Sequence, residues 1–151
     1  DAYDIAESAA WGADAVLLIV RLLDDGSLAS LSRAAHELGM ESVIEVHDER
    51  DLDRAVRLCD WKGSILGINN RDLRTLRTDV TTTFRLLERV PPDIMISSPV
   101  ISESGLCPAD AGRLARAGIN GVLVGTALLR SRCPAAGVRS FLRTGRGLHG
   151  A

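Results

Sequence analysis

Apolar runs of strand length alternate with amphipathic helical stretches along the chain, and this alternation narrows the fold more than any other feature. Residues 13–20 (ADAVLLIV) form a nearly continuous apolar run. Such a run suits a strand buried on both faces, as in a parallel sheet. Residues 27–38 follow with helical spacing at Leu28, Leu31, Ala34, Ala35 and Leu38, and Gly39 closes that helix. Residues 42–46 predict a short strand. Asp48 then stands where a helix over 49–58 needs its cap, with Leu52, Ala55, Val56 and Leu58 inward. A strand over 64–68 and a helix over 80–90 come next. A further strand is expected somewhere between Ile94 and Ser102, then a helix over 108–117 with proline in its first turn. Gly118 stops it. Residues 121–124 form the last strand, a short turn begins at Leu128, and a final helix covers 134–142. Ahead of all these, residues 1–10 read as the end of a helix striped by Ile5, Ala6, Ala9 and Ala10.

About five strands alternating with helices imply an α/β fold with a parallel sheet, either open or closed as a barrel. An open nucleotide-binding sheet would want a glycine-rich turn after an early strand. Here Val20 is followed by Arg21-Leu22-Leu23-Asp24-Asp25. The residues able to carry chemistry sit instead at the C-terminal ends of successive strands, where a (β/α)8 TIM barrel builds its active site. No linker or low-complexity segment divides the chain, so residues 1–151 are expected to lie in one domain.

Composition removes several other classes. With 46% hydrophobic and 25% charged residues the chain has enough apolar surface for a core. A net charge of -2 and 3% aromatic residues give neither the clustered cations nor the stacking platforms of a nucleic-acid groove. No apolar run reaches the length of a membrane span. Cys59, Cys107 and Cys133 are odd in number, widely spaced and lack a CxxC pair. That fits a reducing cytoplasm better than a disulfide framework or a zinc site. Cys107, before Pro108, reads as a spectator. Asp24-Asp25 reads as an acidic helix entry, and no His, Asp and Glu set has metal-ligand spacing.

Three places could carry chemistry. Glu45 interrupts an apolar strand, on the face of Val43 and His47 and opposite Ile44 and Val46. Desolvation there would raise its pKa and make it a general acid or base; the alternative is a strand-end carboxylate that reaches solvent. His47, on the same face, reads as a hydrogen-bonded structural histidine. Asn69-Asn70-Arg71-Asp72 follows the next strand. Its amides could orient a hydroxyl, or the segment could be a polar turn with an Asx cap. Ser102-Glu103-Ser104-Gly105 and Gly125-Thr126 end the last two strands. Together they resemble a split phosphate cradle, with glycines that admit an anion, hydroxyls that donate and a short helix start. Barrels frequently build such a site from their last two loops.

These motifs, in this order, resemble the indole-3-glycerol phosphate synthase family. The resemblance is carried by ADAVLLIV at 13–20, His36-Glu37-Leu38-Gly39-Met40, Glu45-Val46-His47, Gly67-Ile68-Asn69-Asn70-Arg71-Asp72-Leu73, Ser102-Glu103-Ser104-Gly105 and Val122-Leu123-Val124-Gly125. It implies closure and decarboxylation of 1-(2-carboxyphenylamino)-1-deoxyribulose 5-phosphate to indole-3-glycerol phosphate, with loss of carbon dioxide and water, in tryptophan biosynthesis. By the same resemblance Glu45 is the acid/base glutamate, Asn69 positions substrate with support from Arg71, and Glu103 lies near the reaction centre. Ser104, Gly105, Gly125 and Thr126 match phosphate-binding positions, with threonine where serine is more usual. No cofactor or metal is implied.

The resemblance also implies that the chain corresponds to roughly strands four to eight of a ribulose-phosphate-binding barrel. The family's two catalytic lysines lie on strands one and three. Lys62, the one lysine here, precedes a strand and cannot replace them. The isolated chain is therefore expected to be nearly inactive, and its open strand edges to favour self-association. A non-catalytic phosphate-binding partial barrel is the competing expectation. Residues 94–101 (IMISSPVI) are a few residues longer than the family's usual seventh strand, and because Pro99 cannot donate in a central ladder a bulge or a shifted strand start is expected. That irregularity could misplace Ser104.

Overall fold

The computed structural model describes residues 1–146. A first helix, α1 (Ala2–Ala10), is capped by Asp1 and leads into β1 (Ala15–Ile19), a single 3-10 turn (Val20–Leu22) and α2 (Asp25–Glu37). β2 (Glu41–Val46), α3 (Glu49–Leu58), β3 (Ser64–Asn69), α4 (Thr81–Leu87) and α5 (Pro92–Ser97) follow. The chain goes on through β4 (Val100–Glu103), α6 (Pro108–Arg116), β5 (Gly121–Leu123), α7 (Thr126–Leu129) and α8 (Pro134–Arg146). The strands form one parallel sheet in the order β1-β2-β3-β4-β5. Sequential parallel neighbours joined through helices are the repeating unit of a (β/α)8 barrel.

The helices start where their caps dictate. Asp24 accepts from the Ser27 N–H at 2.8 Å and Asp48 from the Asp51 N–H at 2.9 Å, satisfying donors that the first helical turn leaves open. Gly39 and Gly118 close their helices in the left-handed conformation, at φ 79° and 93°. Arg54 ties the link between β1 and α2 to α3: it donates to the Val20 and Leu23 carbonyls at 2.9 and 2.7 Å and to Asp25 at 2.8 Å.

Strand alternation sorts the side chains into two faces. Leu18, Val20, Ile44, Val46, Leu66, Ile68 and Val100 are buried against the helices, where Leu28, Ala35, Leu52, Leu86 and Leu114 meet them. Burial of each large side chain there is worth about 1.5–3 kcal/mol. The other face carries Val43, Ile65 and Ile101, half-buried, and Leu17 and Leu123, which remain 52% and 55% exposed. β1 is consequently not buried on both faces as its apolar run suggests, because among the described residues nothing covers its inner face.

Of the bulge and the shifted start expected over residues 94–101, the structure has the shifted start. The first half of that segment is the end of α5, a helix with Pro92 at its start, Asp93 in its first turn and Ile94 turned into the core. Ser98 is extended, and β4 begins only at Val100. Pro99 thus lies outside the strand, and its carbonyl accepts from the Leu66 N–H at 2.9 Å. No bulge arises, and Ser104 directly follows a regular strand. The helix over 134–142 is also longer than its stripe suggests, reaching Arg146.

Candidate active site

The C-terminal ends of β2, β3 and β4 bring Glu45, Asn69 and Glu103 together. Register aligns Glu45 with Gly67, and Asn69 with Glu103. Glu103 therefore stands one step further along the sheet and reaches back across β3. Gly67 makes room for it: a β-carbon there would lie 2.5 Å from Glu103 Oε1 and 3.2 Å from Val43 Cγ1. A glycine inside a strand marks such close approaches, so this contributor had a signal in the sequence. Glu45 and Glu103 are 3% and 5% exposed, and Oε1 of Glu103 has no hydrogen-bond partner.

The two carboxyls are pushed apart in acidity. Burial would raise the Glu45 carboxyl, but His47, the Asn69 amide and Glu103 outweigh burial and hold it below the usual range. Burial and the adjacent Glu45 push Glu103 up to about 7. The expectation of a raised Glu45 is thus corrected: of the two acids, Glu103 keeps its proton into the neutral range. Like charges in a dry site cannot both ionise cheaply, and the neighbour holding the cation decides which does.

Beside Glu45 lies the imidazole of His47. Its Nε2 lies 3.1 Å from Glu45 Oε1 and its Nδ1 3.6 Å from Asp51 Oδ2. Neither ring nitrogen makes a well-formed hydrogen bond: the Nδ1 contact is too long, and the Nε2 contact is poorly aligned. Asp51 is held in turn by Arg21, whose Nε donates to it at 2.9 Å and whose Nη2 reaches Asp48 at 2.8 Å. Sequence spacing gave no sign of Arg21 or Asp51. They come together only because the turn after β1 packs on the start of α3.

The other predicted residues gather in a second, more open hollow. Arg71, Ser104, Gly105, Gly125 and Thr126 line a cavity of about 510 Å³, with Thr78 and Arg130 completing it. Ser104 and Gly105 are both left-handed, at φ 67° and 70°, so the chain turns sharply after Glu103. A non-glycine residue at positive φ costs free energy and is found where a site needs the turn. Asn69 Oδ1 accepts from the Arg71 N–H at 2.9 Å, and Arg71 Nη1 donates to the Leu76 carbonyl at 3.0 Å.

Asn70 and Asp72 have no part in either hollow. Asp72 caps its own turn, accepting from the N–H groups of Arg74 and Thr75. Asn70 is buried and clamps two loops: its amide donates to Ser102 Oγ and to the carbonyls of Glu103 and Ser104, and its oxygen accepts from Thr83. Lys62 is exposed just before β3, at the opposite end of the sheet from the carboxyls. His36 packs beside Ser64, 3.4 Å from its Oγ. Among the described residues no group of three or more His, Cys, Asp or Glu side chains could hold a metal ion.

The chain is similar to several known proteins. The chain is 44% identical to an indole-3-glycerol phosphate synthase of Salinibacter ruber over 136 residues, covering 89% of this chain and 47% of the relative. It is 46% identical to indole-3-glycerol phosphate synthase 2 of Ralstonia nicotianae over 133 residues, covering 87% and 47%. The chain spans about half the length of the curated relatives it matches. In fold it is similar to 3-hexulose-6-phosphate synthase from Salmonella typhimurium, with TM-score 0.76 and 21% identity over 96% of this chain and 67% of that one. It also resembles KGPDC from Streptococcus mutans, with TM-score 0.70 and 14% identity over 99% and 68%. The model of the indole-3-glycerol phosphate synthase family matches residues 1–141, and the chain belongs to that family.

Proposed function

We propose that this chain carries the acid–base and phosphate-binding half of an indole-3-glycerol phosphate synthase. The protein would convert 1-(2-carboxyphenylamino)-1-deoxyribulose 5-phosphate to indole-3-glycerol phosphate, carbon dioxide and water. The observation that carries the reading is the buried pair Glu45 and Glu103, one carboxyl held below the usual range and the other raised to about 7, beside a hollow suited to an anion. Environments that push two carboxyls apart assign one as base and the other as acid. Glu45 is the base that takes up the proton released as the new ring becomes aromatic. Glu103 presents a proton toward the reacting oxygens, and Asn69 orients a substrate hydroxyl.

The substrate phosphate sits against Ser104, Gly105, Gly125 and Thr126, with Arg71 at the wall. Glycines let the backbone approach, and N–H groups at the start of α7 favour negative charge. Ring closure and dehydration call for further proton donors, and the family resemblance assigns these to lysines on other strands of the barrel. The 151 residues then form the C-terminal part of one TIM-barrel domain and by themselves turn over little substrate. The partly exposed inner face at Leu17 and Leu123, with free edges on β1 and β5, supports self-association of the isolated chain. The three free cysteines fit a reducing cytoplasm.

The test is turnover by the full-length protein, followed by the growth of indole fluorescence. Glu45→Gln should lower kcat by roughly 10³-fold while leaving affinity for a phosphorylated product analogue nearly unchanged. Loss of both together would make Glu45 a structural residue and remove the reading.

A further inference from the structure

Turnover in the reading above needs Glu45 charged beside a second carboxyl, yet nothing in that scheme uses the buried imidazole next to it. His47 is 6% exposed and lies between two carboxylates, with Glu45 at Nε2 and Asp51 at Nδ1. A neutral imidazole has one donor and one acceptor nitrogen. In this setting it would turn a lone pair toward one carboxylate. Only the doubly protonated ring faces both carboxylates with N–H groups.

We propose that His47, braced by Asp51 and Arg21, is a positioning residue that holds Glu45 as the carboxylate of the pair and leaves the proton on Glu103. The proposal rests on reading the site as a synthase.

The charged groups around His47 are accounted for on every side. Glu45 comes from its own strand, Asp48 and Asp51 from the first turn of α3, Arg21 from the turn after β1 and Glu103 from β4. Arg21 is shared by Asp48 and Asp51. Asp51 is drawn further into place by the backbone N–H of His47 at 3.1 Å. The carboxylate behind the ring is thereby fixed, and the ring can present its charge forward to Glu45. Burial works against a charged imidazole, and Arg21 also opposes it. The contacts with Asp51 and Glu45 prevail and raise the group to about 9.

Two experiments on the full-length protein decide it. In protein labelled with 15N-histidine, the ring assigned to His47 by its loss in His47→Gln should stay doubly protonated at about pH 7.5, well above the ordinary histidine value of about 6.5. A ring that is neutral there overturns the proposal whatever the substrate is. In the second, His47→Gln and Asp51→Asn should each lower kcat by about 10-fold or more. KM should move by less than about threefold, and the acid limb of the rate profile should shift up by roughly one pH unit. The direction follows from the charge: without its cation, Glu45 holds its proton to higher pH and stops acting as a base. Variants that lose activity with the limb unmoved overturn the proposal, because a packing role alone would not displace it. If both variants fail to fold, the titration of the unaltered protein still decides. If the unaltered protein does not turn over the substrate, the synthase reading falls, while a charged His47 in the titration still upholds the positioning role.

Discussion

Between β2 and β4 the site is made of side chains, and between β4 and β5 it is made of backbone. Glu45, His47 and Glu103 are 3–6% exposed and fixed by charges from the neighbouring strand and helix. Gly105, Gly125 and Thr126 are exposed, and their arrangement comes from glycine conformations and the start of a four-residue helix. In the proposed reading each construction suits its task. Proton transfer needs groups whose charge state is set before substrate arrives, which requires burial and partners. An anion can be met by N–H groups that carry their partial charge in any environment, so its cradle can stay open to water.

The comparison is broken most severely by adding one carbon at Gly67. Its β-carbon would fall 2.5 Å from the far end of the Glu103 side chain, which can swing aside. Gly67→Ala should therefore keep most of its stability but lose roughly 10²-fold in kcat, because a small displacement of a reacting group is enough. Heat unfolding and steady-state kinetics on the same preparation check it. A large drop in stability with normal turnover of the folded fraction would show that the glycine serves packing only.

The corresponding change in the backbone-built region is Gly105→Ala. Here φ is 70° and the new β-carbon would meet Thr78 Cβ at 2.6 Å. The turn must shift, so KM or inhibition by inorganic phosphate should weaken by about 10-fold. The limiting kcat should change much less. A fall in kcat with phosphate binding intact would mean that the two regions are not separable.

The smallest effect concerns stability against pH, and it tests the buried region alone. Glu103 is raised to about 7 and His47 to about 9 in the folded chain. Raised groups add stability that is complete below their unfolded values and is lost as pH climbs through their folded values. Glu103 accounts for the window from about 4.5 to 7 and His47 for that from about 6.5 to 9. Thermal stability should thus decline from pH 6 to pH 9, by on the order of 1–3 kcal/mol. Below these windows the sign reverses, because the lowered Glu45 and Asp51 lose their contribution as pH falls. Glu103→Gln should flatten the lower half of the decline; an unchanged slope would place the titrating group elsewhere.

Much of the architecture was legible because apolar runs, caps and glycines act locally. Asp24, Asp48, Gly39 and Gly118 bound their helices where the sequence places them. Residues 94–97 leave the strand's start open, because their isoleucines suit a strand while Pro92 and Asp93 mark a helix start. In the site, strand alternation suffices to put Glu45 on the inner face, yet its charge state depends on His47, Asn69 and Glu103 together. Glu103 stands two strands away, and its reach to Glu45 depends on the stagger across β3 and the empty space at Gly67. The glycine inside the strand hints at a close approach, but no local pattern encodes the stagger or names Glu103 as the group that approaches.

The adjacent asparagines at 69 and 70 set two kinds of demand side by side in the chain. Asn70 joins the Thr83 hydroxyl to the carbonyls of Glu103 and Ser104, over sequence separations of 13 to 34 residues. In the proposed reading the two differ in what a change would cost: loss of Asn70 removes bonds that tie β3 and α4 to the end of β4, whereas loss of Asn69 removes a contact to substrate and leaves those bonds in place.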